Sequence, residues 1–260
     1  MKWHRIRTML LHSYFHMMHS METWIGLFWS STIQFILFAL IGKVVGQQNE
    51  AVAGYLLLGF FFWEIIRIAQ YSVTLSILWE VWSKSLSSMF VSPLILPELM
   101  IAQMISAAFK TILVVTLLGA ISAFGFHFSL LAFGPMLIVY SALLLFFAFA
   151  TGLFLMGLIF RFGLEIQSFA WGLVYVLQPI SAVFYPVEAL PVQIRWLSYI
   201  SPITYVMETA RHQLQTGEIQ WSALGISLLL TILSFIGGAA FLTSMFRWAK
   251  RTGAFARLEA

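Results

Sequence analysis

The 260-residue chain contains no cysteine and no aspartate. Without cysteine there are no disulfides, no thiolate metal ligands and no cysteine nucleophile. All ten acidic residues are glutamates, so the carboxylate clusters that hold hard cations or run hydrolysis are scarce. Charged residues of any kind make up 9% of the chain, against roughly 25% in an ordinary soluble domain. Hydrophobic residues make up 61%, so water is not the main solvent. No Gly-x-x-x-x-Gly-Lys-[Ser/Thr] phosphate loop occurs. The Gly42-Lys43 pair is followed by Val44 and lies at the end of an apolar run, which excludes ATP binding by that device. A His-Glu-x-x-His motif and an aspartate pair are also missing, which argues against an intramembrane enzyme. From Met1 to Met21 apolar residues alternate with Arg, Lys and His, unlike the short apolar core of a signal peptide, and nothing is expected to be removed. The net charge of +4 sits at the ends of apolar runs, where lipid headgroups would meet it, and does not indicate nucleic-acid binding.

What the chain has in abundance is long apolar runs. A helix needs about 20 mostly apolar residues to cross the hydrocarbon. Six stretches qualify, roughly Trp24 to Val45, Ala51 to Trp79, Leu99 to Ala123, Leu131 to Phe160, Leu164 to Phe184 and Trp221 to Phe246. Short joints carry turn signals: Gly46-Gln47-Gln48-Asn49-Glu50, Gly125 with His127, and Arg161-Phe162-Gly163. The expected fold is all-α, a single membrane domain over 1–260. It comprises an interfacial helix (1–22), spans one to five (24–184), external re-entrant helices (185–220), span six (221–246) and a cytoplasmic tail (247–260). An even number of spans puts both termini on one side. Nine basic residues (Lys2, Arg5, Arg7, Lys84, Arg161, Arg247, Lys250, Arg251, Arg257) share that side and three (Lys43, Arg195, Arg211) lie opposite, so both termini are expected to be cytoplasmic in an inner or plasma membrane.

The first 21 residues, placed at 100° each, gather Trp3, Ile6, Leu10, Tyr14, Met17, Met18 and Met21 on one side. Lys2, Arg5, His12, His16, His19 and Ser20 gather on the other, the pattern of a helix lying along the cytoplasmic leaflet. Between spans two and three, Leu78, Trp82, Ser85 and Met89 continue a helical stripe, Ser92-Pro93 breaks it, and Pro97-Glu98 suits the first turn of the next helix. Trp82, Met89 and Phe90 are then available to a partner, or the segment is a plain connecting loop. Between spans five and six, Pro191 and Pro202 each open an amphipathic stretch, Val192 to Ile200 and Ile203 to Leu214, predicted as two short helices in the outer leaflet.

The cytoplasmic segment from Glu80 through Leu86 to Val91-Ser92-Pro93-Leu94 and Glu98 resembles the coupling segment of the type-2 ABC exporter permeases. The external run Tyr185-Pro186-Val187, Leu190-Pro191, Trp196-Leu197, Ser201-Pro202, Thr204-Tyr205, Glu208 and Arg211 resembles that family's segment before its last span. The resemblance implies a half-transporter: two six-span subunits form a path, and separate ATP-binding cassette subunits, holding ATP and magnesium, drive it. No cofactor is then needed in this chain, and its partners are the ATPase, a second copy of itself and membrane lipids. It further implies ATPase coupling through Glu80, Trp82, Ser85, Met89, Phe90, Ser92 and Pro93, and an external gate at Tyr185, Pro186, Pro191, Pro202, Tyr205, Glu208 and Arg211. One departure is that many relatives carry Gly-Thr where Lys84-Ser85 stands here. The cargo class expected is lipid-linked glycan or another amphipathic molecule; the alternatives are a drug or lipid exporter of the same class, or an ATP-independent channel or scaffold.

Charges within spans are costly and therefore informative. Glu64 and Arg67 lie three residues apart on one helix face, as a structural ion pair or as part of a path. Lys110 invites the same two readings and could meet Glu64 or an anionic lipid-linked substrate. Aromatics reach 17%. Trp and Tyr at span ends make an interface belt and Phe within spans packs or faces lipid, with a sugar-stacking channel as the alternative. His12, His16 and His19 share a helix face but read as solvated headgroup-level side chains rather than metal ligands.

Overall fold

The computed structural model describes residues 1–47, 50–126 and 133–254, and every regular element among them is helical. Gln48, Asn49, His127, the expected start of span four at Leu131, and Arg257 lie outside the described residues. The helices are α1 (Trp3–His19), α2 (Met21–Trp24), α3 (Ser30–Gly46), α4 (Glu50–Trp82), α5 (Leu86–Val91), α6 (Leu96–Phe126), α7 (Met136–Phe162), α8 (Gln167–Ile180), α9 (Val192–Ser198), α10 (Pro202–Thr216) and α11 (Trp221–Thr252). A π-helical turn, Ile25–Trp29, joins α2 to α3 without a break, and Ser20 caps α2 by accepting from the Thr23 amide at 3.1 Å.

Among the described residues, five helical stretches are long and apolar enough to cross a membrane: Met21–Gly46, Val52–Trp82, Leu96–Phe126, Met136–Ile180 and Trp221–Thr252. The fourth is 45 residues long and would reach about 68 Å if straight, more than twice the hydrocarbon thickness. It is not straight. Gly163 takes φ +58°, open to glycine because it has no Cβ, and begins the 3-10 turn Gly163–Ile166. On α7, Gly152 lies against Val73 of α4; on α8, nineteen positions later, the Trp171 carbonyl accepts from Tyr71 at 2.9 Å. The run therefore turns back along α4, and reaches Gly59 at Val183.

The same contacts give the direction of the other helices. Phe62 meets Tyr140, Phe146 meets Phe235, and Phe160 meets Phe246, so α4, α7 and α11 run one way. Ser31 meets Arg67 while Phe38 meets Phe60, so α3 runs against α4. The windows of α4 and α7 are 72% buried and those of α3, α6 and α11 under a third, which makes α4 and α7 the core and leaves the others facing outward. Close approach needs small residues: a Cβ on Gly238 of α11 would stand 2.4 Å from the Ala150 carbonyl oxygen, and one on Gly59 of α4 equally close to that of Val183.

The first helix departs from its expected pattern. Only Ile6, Met9 and Met17 are buried, packed toward α6, while Trp3, Tyr14, Met18 and Met21 of the expected apolar face are exposed. Polar contacts tie it down: the Lys2 amide donates to Glu98 at 2.7 Å, Arg5 pairs with Glu98 at 3.6 Å, and Arg5 donates to the Pro93 carbonyl. The period of 3.6 identified an apolar arc, but a helix docked on a neighbour buries a narrower stripe than one lying on lipid.

Candidate functional site

Three clusters of the expected residues can be followed from the backbone up. In the middle of the 33-residue α4, Glu64 and Arg67 are one turn apart and both buried. Arg67 donates to both carboxylate oxygens, Nε to Oε1 at 2.8 Å and Nη2 to Oε2 at 2.7 Å, and also to the Ser31 hydroxyl of α3 at 2.7 Å. Lys110, near the middle of α6, does not join this pair and makes no hydrogen bond or ion pair with another described residue. Arg67 and Lys110 instead border one cavity of about 420 Å³, which extends along α4 to Trp79 and Glu80 at its far end. Thirteen residues of helix make that roughly 20 Å. Tyr71, Trp171 and Tyr175 contribute rings to its wall, and the π-helical turn borders it at Ile25, Gly26 and Leu27. The sequence reading found the charges but missed Tyr71, Trp171, Gln34 and Gln103, because a polar or aromatic residue in an apolar run carries no mark of which face it takes.

The histidines of α1 meet the mouth of this cavity. His12 lies 3.7 Å from Glu80, and His16 packs against the Trp79 ring, centroid to centroid 5.0 Å. Burial holds His16 below the ordinary imidazole range, and the positive charges of Lys110 and His12 push in the same direction against Glu80 and Glu22. His19 stays exposed.

In the segment between α4 and α6 the expected partner face lies partly against the bundle. Trp82, Met89 and Phe90 are partly buried against the core, with the Phe90 ring 4.9 Å from that of Phe246 and 6.0 Å from that of Phe160. The exposed tip is Val91, Ser92 and Pro93, with Val91 87% exposed. A stripe continued at helical spacing packs inward once the turn at Ser83-Lys84-Ser85 brings α5 back over the ends of α7 and α11. That turn is pinned by Glu80, whose carboxylate accepts from the Ser85 hydroxyl and whose carbonyl accepts from the Ser85 amide at 3.0 Å. Lys84 takes φ +56°, the left-handed region that glycine enters without strain, so the departure from Gly-Thr falls on the residue whose backbone favours glycine.

The third cluster gathers the residues expected on the external side around the end of α8. Arg211 pairs with Glu208 at 2.7 Å and donates to the carbonyls of Ala182 and Val183, the latter at 2.9 Å. Glu208 accepts from the Val187 amide at 2.9 Å, just after Pro186. Tyr185 donates to the Pro179 carbonyl at 2.7 Å and Tyr205 to the Tyr199 carbonyl at 3.0 Å. Pro191 precedes α9 and Pro202 is the first residue of α10, matching the expected pair of short helices. Burial pulls the Arg211 pKa below its ordinary value, opposed by Glu208, and raises that of Tyr185. The sequence reading included Ser201 but missed the other serines that stitch this cluster: Ser181 bonds Ser201 at 2.8 Å, and Ser198 donates to the Ile180 carbonyl at 2.5 Å.

A bundle of long apolar helices, with a buried ion pair and a polar cavity at mid-depth, defines a multi-pass membrane protein. The family described as ABC-2 type transporter matches residues 10–214, and the chain belongs to that family. The match runs from within α1 to within α10 and takes in Glu64, Arg67, Lys110, the segment 80–93 and Arg211. Comparison with curated individual proteins gives no match. The family is a membrane transport component and not itself catalytic.

Proposed function

We infer that the chain is the permease subunit of an ATP-driven exporter, crossing the inner or plasma membrane six times with both termini cytoplasmic, and forming its path together with a second copy. The observation that carries this reading is the tip Val91-Ser92-Pro93: apolar Val91 stands free of the protein while Phe90 and the Arg5 contact to Pro93 hold the tip to the bundle. A fixed, exposed knob beside long spans suits a groove in a separate ATPase subunit, which holds the ATP and magnesium. Six crossings are favoured over five because the run 136–180 turns back at Gly163, and because α1, the tip and the end of α11 meet at one end of the bundle through Glu98 and Phe90. The cavity beside Arg67 and Lys110 supports an amphipathic cargo, lipid-linked glycan among them: it offers charge at depth and rings along its wall.

The test is to co-express the chain with the ATPase subunit and compare wild type with Val91→Glu. Normal insertion with lost copurification and lost transport-dependent ATP turnover is expected. Wild-type copurification and turnover in the variant would remove the coupling role and favour an ATP-independent channel or scaffold.

A further inference from the structure

The cavity beside α4 holds hydrogen-bonding groups that the protein leaves unused. Some hydroxyls that border it are returned to their own backbone: Ser30 donates to the Gly26 carbonyl at 2.6 Å and Ser76 to that of Val73 at 2.7 Å. Four side chains bordering the cavity behave otherwise. Gln34 of α3, Ser72 of α4, and Gln103 and Lys110 of α6 have no hydrogen bond or ion pair to another described residue. Gln103 is 5% exposed. An unpaired ammonium and unpaired amides at mid-depth are costly unless something in the cavity meets them.

The protein has little with which to meet Lys110. Of its ten glutamates, only Glu64 lies in the middle third of a span, and both of its oxygens are taken by Arg67. Glu98 is engaged by Lys2 and Arg5, and Glu80 by Ser85 and His12, at the cytoplasmic end. A second copy carries the same inventory, so it has no spare carboxylate at this depth either. Arg67 is already neutralised by Glu64, and Lys110, the other lysine or arginine bordering the cavity, makes no ion pair with Glu22 or Glu80, the carboxylates that also border it.

The geometry points to Lys110, in a cavity that Gln34, Ser72 and Gln103 also border, as the seat of a phosphate-class oxyanion that reaches mid-membrane from the cytoplasmic headgroup level. An ammonium supplies a point charge and the amides and hydroxyl supply further donors, which suits a group with several acceptor oxygens. The rings of Tyr71, Trp171 and Tyr175 would then flank the apolar or sugar part of the same molecule. This deepens the reading of the cavity as part of an exporter's path and rests on it.

Because the chain lacks cysteine, Ser72→Cys is a unique reporter inside the cavity. The full-length protein carrying it is placed in bilayers of phosphatidylcholine, with or without phosphatidylglycerol, and its labelling by a small water-soluble maleimide is timed. Phosphatidylglycerol should slow labelling about tenfold, the worth of one charge-assisted contact. The slowing should vanish with Lys110→Gln and persist with Lys110→Arg. Inorganic phosphate added to pure phosphatidylcholine separates the sources: protection by it assigns a free oxyanion, and protection by phosphatidylglycerol alone assigns a lipid headgroup. No protection by either, or equal protection with Lys110→Gln, overturns the proposal. If Lys110→Gln does not fold, Gln103→Leu on the Ser72→Cys background takes its place, and undiminished protection there also overturns it. ATPase copurification, measured on the same samples, fails or succeeds independently and so reports on the exporter reading alone.

Discussion

Arg67 illustrates how much one side chain can be asked to hold: a bidentate carboxylate on its own helix and a hydroxyl on α3, all inside the bundle. Removing one partner of a buried pair leaves an uncompensated charge, which costs about 3 kcal/mol or more, whereas removing both leaves none. Glu64→Gln and Arg67→Gln should therefore each be worse than the double change, with a coupling above about 1 kcal/mol in a double-mutant cycle of thermal stability. Additive losses would show that the two act separately. Lys84 makes a prediction of opposite sign. Its left-handed backbone costs a non-glycine residue about 1 kcal/mol, so Lys84→Gly should stabilise the detergent-solubilised protein by that amount and Lys84→Val should destabilise it. A lower melting temperature for Lys84→Gly would contradict the assignment. His16 adds a pH effect. As a base whose pKa is lowered on folding, it favours the docked α1 when neutral, so that contribution is full above the ordinary imidazole pKa and is lost as pH falls through the lowered one. The protection of α1 amides, corrected for intrinsic exchange, should fall as the pH drops below the ordinary imidazole range, and His16→Gln should flatten the change; an unchanged pH profile in the variant would reject it.

At the scale of the helices, packing separates residues that look alike in sequence. Phe90 and Val91 are adjacent apolar residues, yet Phe90 lies against Phe160 and Phe246 while Val91 faces out. Phe90→Ala should lower stability by about 3 kcal/mol through the lost core contacts, whereas Val91→Ala should leave the melting temperature unchanged. Equal effects would mean that α5 is not anchored as described. Glycines divide similarly: Gly238→Ala forces a Cβ onto the Ala150 carbonyl and should destabilise by about 1–3 kcal/mol. Gly225→Ala on the same helix meets nothing and should be neutral or slightly stabilising. These distinctions explain what the sequence could and could not reveal. The long apolar runs, the proline-opened helices at Pro191 and Pro202, and the Glu64–Arg67 pair were legible, because length, proline geometry and i,i+3 spacing are local properties. The inward turn of Phe90, the docking of α1 through Glu98 and the gathering of Gln34, Gln103 and Lys110 were not. Each depends on residues tens or hundreds of positions apart meeting at a helix contact, and periodicity says nothing of which neighbour a face will find.

For the molecule as a whole, the proposed function has a bundle with the start of α1, the end of α11 and the Val91-Ser92-Pro93 tip at one end pass mechanical work from an ATPase there to a cavity beside α4. Reporter fusions at Gly217 should read external and those at Ser87 cytoplasmic; a cytoplasmic signal at Gly217 would break the proposed six-crossing arrangement. The most direct measurement uses the cysteine-free background. Ser92→Cys and Gly217→Cys, each co-expressed with the ATPase subunit, are treated with a short bifunctional thiol cross-linker. The account predicts a covalent adduct with the ATPase from Ser92→Cys and none from Gly217→Cys; an unlinked Ser92→Cys in a complex that still hydrolyses ATP and transports would contradict it.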